Sequence, residues 1–179
     1  MDSAEEPSAL VTVDEFTKIT GGDDVTQFRL DSVIDAVRDY CGWHIAPHRR
    51  ETMVLDGNGC SVLLLRTTNI VEIHAVTECG IELSADSGFE WSQRGMIRHP
   101  SVWTDRWRAI EVDLTHGFDK TPTHLAAAII DLAQSSIEFG GSDEPETIGP
   151  FKFGGSQGGI RLPGHVLAVL NRYRVHQVS

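Results

Sequence analysis

The sequence predicts an α+β protein: a small helical bundle with an inserted antiparallel β subdomain and a flexible C-terminal arm. Three observations predict it. Apolar residues recur at helical spacing toward both ends, at Leu30, Val33, Ile34, Val37 and Cys41, and again at Leu125, Ala128, Ile129, Leu132, Ser136 and Ile137. Between them the period shortens to two, clearest where Ile110, Val112 and Leu114 alternate with Glu111 and Asp113. Residues 140–159, GGSDEPETIGPFKFGGSQGG, hold seven Gly and two Pro in twenty positions, a composition that builds no compact element.

The elements follow in chain order. Thr12-Val13-Asp14-Glu15 is a capping box, because the Thr12 hydroxyl and the Glu15 carboxylate can each satisfy a backbone N–H of the other residue. A short helix is therefore expected over 13–20, stopped by Gly21-Gly22. A second helix begins near Asp24 and ends where Gly42 offers the left-handed C-terminal position, and Pro47 prevents its resumption. Runs 52–55 and 61–65 flank Asp56-Gly57-Asn58-Gly59 and predict a hairpin. Further strands are expected at 70–77, 81–84, 89–92, 96–99 and 108–115. Thr121-Pro122 opens a third helix that runs until Gly140, since Pro suits the first helical turn. After the glycine-rich stretch, Leu162-Pro163-Gly164 opens a short amphipathic segment in which Val166, Leu167, Leu170 and Tyr173 share a side. The organisation is thus 1–49 N-terminal helices, 50–118 β insert, 119–140 third core helix, and 141–179 arm with an apolar end. An apolar end tethered by glycine-rich chain is expected to find its burial on a partner subunit.

Composition narrows the function. At 179 residues, 40% hydrophobic and 23% charged, the chain can bury a core and is not disordered in bulk. No run of eighteen apolar residues is present and the opening MDSAEEPSAL is acidic, so neither a spanning helix nor a signal peptide is expected, and no membrane partner. Cys41, Cys60 and Cys79 form no close pair and are read as reduced thiols in a cytosolic compartment. A net charge of -11 disfavours wrapping a phosphate backbone. The charge is also uneven: residues 1–24 carry seven acids and one Lys, whereas 160–179 carry three Arg and no acid.

No constellation points to catalysis, and no catalytic residue, metal or cofactor is assigned. The eight histidines are scattered singly; Pro47 interrupts the His44/His48 spacing, and His116 and His124 lack accompanying ligands. There is no G-x-S-x-G elbow and no phosphate loop, and Cys41 lies on an apolar helix face, where a thiol is inert. Trp91, Trp103 and Trp107 admit two readings. One is packing across a small sheet; the other is anchorage of a subunit interface, which Arg106-Trp107-Arg108 fits.

Several phrases in order resemble one family. These are Tyr40-Cys41-Gly42-Trp43-His44-Ile45 with Pro47, the strand pair broken by Asp56-Gly57, Glu90-Trp91-Ser92, and Gly95-Met96-Ile97-Arg98. A Trp, the alternating strand, Thr115-His116-Gly117-Phe118, Pro122 and a Leu-Ala-rich helix continue the series. Over roughly residues 12–140 the chain resembles the head-tail connector (adaptor, head-completion) proteins of long-tailed bacteriophages. The resemblance implies a structural virion protein and not an enzyme. It further implies a homo-oligomeric ring, a dodecamer, that attaches to the portal protein, extends the DNA channel and presents a platform to the stopper or tail-side connector. The ring would enclose DNA without sequence-specific binding, in the virion neck, after assembly in the host bacterial cytoplasm. The C-terminal segment would embrace the portal through Phe151, Phe153, Ile160, Leu162, Val166, Leu170 and Tyr173. Two alternatives stand beside it: a small hydrolase or ligand-binding module using His74, His99 and His116, and a neighbouring stopper or tail-terminator component.

Overall fold

A computed structural model of the chain describes residues 9–21, 25–139 and 164–175. It divides into two units, one from residues 1–44 and 120–174, the other from 45–119 with 175–179. Among the described residues the first unit carries helices and the second two antiparallel sheets, an α+β fold as expected. The expected arm over 141–159 lies outside the described residues.

In the helical unit, α1 (Val13–Thr20) begins on the expected capping box: the Thr12 N–H donates to Glu15 Oε2 at 2.9 Å and the Glu15 N–H to Thr12 Oγ1 at 3.2 Å. Helix α2 (Gln27–Cys41) starts three residues later than Asp24, because the Thr26 hydroxyl caps the Arg29 N–H. It stops at Gly42, whose φ of 80° is the left-handed conformation that only glycine adopts freely. Helix α3 (Thr123–Phe139) brings Leu125, Ala128, Ile129, Leu132 and Ala133 to the buried face formed by Leu30, Val33, Ile34, Val37 and Cys41 of α2. Arg29 joins the two at one end by donating to the Ser136 carbonyl at 2.6 Å.

Helix α4 (Gly164–Tyr173) completes this core, with Val166, Leu170 and Tyr173 buried at i, i+4 and i+7. Polar contacts fix it on both sides. Toward α2, Trp43 Nε1–H donates to the Tyr173 carbonyl at 2.6 Å and the Tyr40 hydroxyl to Asn171 Oδ1 at 2.7 Å. Toward α3, the Tyr173 hydroxyl meets His124 Nε2 and His165 meets Asp131. The pairing of Tyr173 with the start of α3 and of His165 with its middle makes the two helices antiparallel. In the single chain this apolar end is buried without a partner. Ten residues are too few for a stable isolated helix, and the stripe that would have docked elsewhere is satisfied by α2 and α3.

The β unit contains strands β1 (Arg49–Leu55), β2 (Val62–Leu64), β3 (Ile70–Glu78), β4 (Ile81–Glu82), β5 (Glu90–Ser92), β6 (Met96–Arg98) and β7 (Ile110–His116). One sheet has the order β1-β7-β3-β4 and the other β2-β6-β5. Strand β7 is central in the larger sheet and shows the expected alternation, with Ile110, Val112 and Leu114 buried. Directly opposite residues share a face, so Leu55 and Met53 join them across the ladder. Leu63 and Ile97 of the smaller sheet, with Trp103, Phe89 and Leu65, close the same core.

The expected hairpin of 52–55 with 61–65 is not formed: β1 pairs with β7 and β2 with β6, in different sheets. The Asp56–Gly59 segment is a crossing between sheets. Gly57 lies so close to the backbone of Thr104 that a Cβ there would sit 1.9 Å from its carbonyl oxygen. The glycine is needed for this close approach and not for a two-residue turn.

Candidate interaction surface

The rival ligand cup built on His74, His99 and His116 does not assemble. His116 is buried opposite Ile70 at one end of β3, with Nε2 3.0 Å from Glu51 Oε1. His99 lies 3.8 Å from Glu78 at the other end of β3, roughly 25 Å away at the rise of an extended strand. His74 rests on the Thr115 hydroxyl at 2.8 Å. The Glu51–His116 contact holds the Glu51 carboxyl down to about 2, chiefly through the hydrogen bond from His116, with burial opposing it. This is a structural pair on the core face of the sheet, because Glu51 faces Leu114 across the ladder. Burial pushes the Cys41 thiol up to about 12, so it stays protonated. Among the described residues no group of three or more His, Cys, Asp or Glu is placed to hold a metal ion. No helix among them is long and apolar enough to cross a membrane.

The prominent surface features are apolar and aromatic. The tryptophans divide between the two readings: Trp43 and Trp103 are buried, whereas Trp91 is exposed and Trp107 is 85% exposed. Trp107 is displayed on a locked segment. The Trp103 N–H donates to the Cys60 carbonyl at 2.9 Å, the Gly59 N–H to Thr104 at 3.3 Å, and the Gly57 N–H to Arg106 at 2.9 Å. Side chains complete the clamp, with Asp56 accepting from the Arg108 N–H at 2.7 Å and Glu78 from the Thr104 N–H at 2.6 Å. Buried Trp103 anchors one end, and Arg108 at the other holds a left-handed φ of 50°, a strained geometry for a side-chain-bearing residue. Arg106 and Arg108 flank the indole, both exposed, and among the described residues neither guanidinium has an ion-pair partner.

Two further patches stand out. On the outer face of the smaller sheet, Leu64 lies directly opposite Met96 with Val62 beside them, all partly exposed, next to a Glu90–Arg98 ion pair at 3.3 Å. On α2, Phe28 is 80% exposed and Asp31, Asp35 and Asp39 continue its stripe at i+3, i+7 and i+11. The sequence signal for Phe28 is its position, two residues before Leu30 and so off the apolar face.

Of the residues expected to meet the portal, Val166, Leu170 and Tyr173 lie in the helical core. Contact of these side chains with a partner would require α4 to move. Phe151, Phe153, Ile160 and Leu162 lie outside the described residues.

No family model and no curated protein sequence matches the chain. Solved structures do. One is a chain of the neck of an empty gene transfer agent particle computed with C6 symmetry. It is 17% identical with a TM-score of 0.57, covering 99% of this chain and 95% of that one. Another is from the neck of a native particle computed with C12 symmetry, 20% identical with a TM-score of 0.59 over the same shares. The chain shares the fold of these proteins.

Proposed function

We propose that this chain is a structural neck protein of a phage-like particle, a head-to-tail connector (adaptor) that forms a ring under the portal. The likeness in fold to neck chains over 99% of its length carries the reading. The C12 symmetry used for one of those necks supports twelve copies per ring. Histidines spread along β3 and a protonated Cys41 leave little for a catalytic role to stand on.

Portal contact belongs to residues 140–163, which carry Phe151, Phe153, Ile160 and Leu162 and whose two ends both connect to the helical unit. Val166, Leu170 and Tyr173 hold the far end of that segment to the body of the subunit. Twelve such segments acting together make modest individual contacts strong. The net charge of -11 suits a wall past which DNA slides without adhering. The opposite face of the ring receives the stopper or tail-side component.

The test is to mix the purified chain with the portal protein of the same particle and image the product by electron microscopy. A cyclic ring seated on the portal is expected. A chain that stays monomeric and leaves the portal bare at every concentration tried would refute the proposal.

A further inference from the structure

Resting on the ring reading, we infer that Arg106-Trp107-Arg108 of each copy docks on the Phe28-Asp31-Asp35-Asp39 face of α2 in the next copy, forming the ring contact. The tip is an interface element by construction. An indole left 85% exposed on a segment whose backbone is already clamped by hydrogen bonds can be buried with little further loss of backbone entropy. Trp and Arg are the residues that most often dominate binding energy when buried at an interface centre.

Chemistry selects the occupant. The tip presents one aromatic ring and two cations without an ion-pair partner among the described residues; the α2 face presents one exposed aromatic ring and three carboxylates. Their spacings agree as well. Arg106 and Arg108 are at most about 7 Å apart along the chain, and Asp31 and Asp35, one helical turn apart, are separated by about 6 Å. Competition from within each surface is slight. Asp35 reaches Arg38 only at 4.0 Å, Asp31 accepts one bond from Gln27, and Asp56 and Glu78 beside the tip are engaged by backbone N–H groups. Exposed Asp105 reduces the net charge of the tip to +1, too little to hold a phosphate backbone, and a chain of charge -11 supplies carboxylates in plenty. Two different patches on one chain make a heterologous contact, the kind that closes into a ring when the rotation permits.

The experiment uses the full chain in a charge swap, read by sedimentation alone and with the portal. One variant carries Arg106→Glu and Arg108→Glu; the other carries Asp35→Arg and Asp39→Arg. Each variant alone sets like charges against each other and is expected to lose ring formation. An equimolar mixture makes every contact complementary again and is expected to recover it as an alternating ring. Trp107→Ala, a single surface truncation that should leave the thermal unfolding of the subunit unchanged, is expected to weaken association about thirty-fold. Rings formed equally well by both separate variants would overturn the inference while leaving the ring reading intact, whereas a wild-type chain that makes no ring with the portal overturns both. Duplex DNA binding lost in Arg106→Glu/Arg108→Glu with rings unaffected would also overturn the inference, because the tip would then be a phosphate contact.

Discussion

Leu170→Ala tests whether α4 belongs to the subunit body. Leu170 is fully buried, and with Val166 and Tyr173 it supplies the apolar face that holds a ten-residue helix against α2 and α3. Truncating a buried leucine to alanine costs about 3–5 kcal/mol where the site cannot collapse. Here the polar contacts of Tyr173 with Trp43 and His124 keep the helix from sliding into the void, so a value toward the upper end, about 4–5 kcal/mol, is expected. For a chain of this size that lowers the unfolding midpoint by roughly 8–20 °C. The loss should be local first, because α4 is too short to persist without its packing. Hydrogen exchange followed by mass spectrometry checks this: amides of 166–173 should lose protection at temperatures where the β unit is still protected. Unchanged protection there, with a midpoint shift below about 1 °C, would refute the packing described, and the stripe would again be available to a partner.

Three further outcomes follow from single sites. Glu51 titrates at about 2 when folded against 4.5 ordinarily, so the native state binds fewer protons and the pair's stabilisation is complete above that ordinary value. It is lost as pH falls from 4.5 toward 2, and Glu51→Gln should flatten this part of the pH–stability curve relative to wild type in urea melts. Gly57→Ala places a carbon 1.9 Å from the Thr104 oxygen and should destabilise by about 3 kcal/mol, since both segments are backbone-clamped and neither can yield. A chemical melt gives the value, and a change below about 0.5 kcal/mol would contradict the close approach. Alkylation of the native chain at pH 8 should label exposed Cys60 and Cys79 but spare Cys41, whose thiol is buried and protonated; three adducts by mass spectrometry would contradict that environment.

What the sequence alone determined is what short-range chemistry controls. The Thr12–Glu15 box, the left-handed Gly42 stop and the apolar stripes of α2, α3 and α4 are each decided within two helical turns, and they stand where the residues put them. The alternation of β7 is equally local, since a strand's period of two is a property of its own backbone. Part of the surface was readable in the same way: Arg106-Trp107-Arg108 stood out as an interface phrase, whereas Phe28 emerged only from its exposure in the folded chain.

Partner choice was decided only by the tertiary structure. Asp56-Gly57-Asn58-Gly59 fits a hairpin turn and a crossing between sheets equally well, and the choice rests on Thr104, nearly fifty residues away. Periodicity identifies which side of 164–173 must be buried but not which surface buries it, so a stripe read as a docking element became core once α2 and α3 were brought beside it. The same holds for the tryptophans, which are alike as residues and separate into anchor and display through their hydrogen-bonded surroundings. Propensity and period act over a few residues, whereas burial is a property of the whole fold, because apolar area leaves water only against surfaces that the rest of the chain supplies.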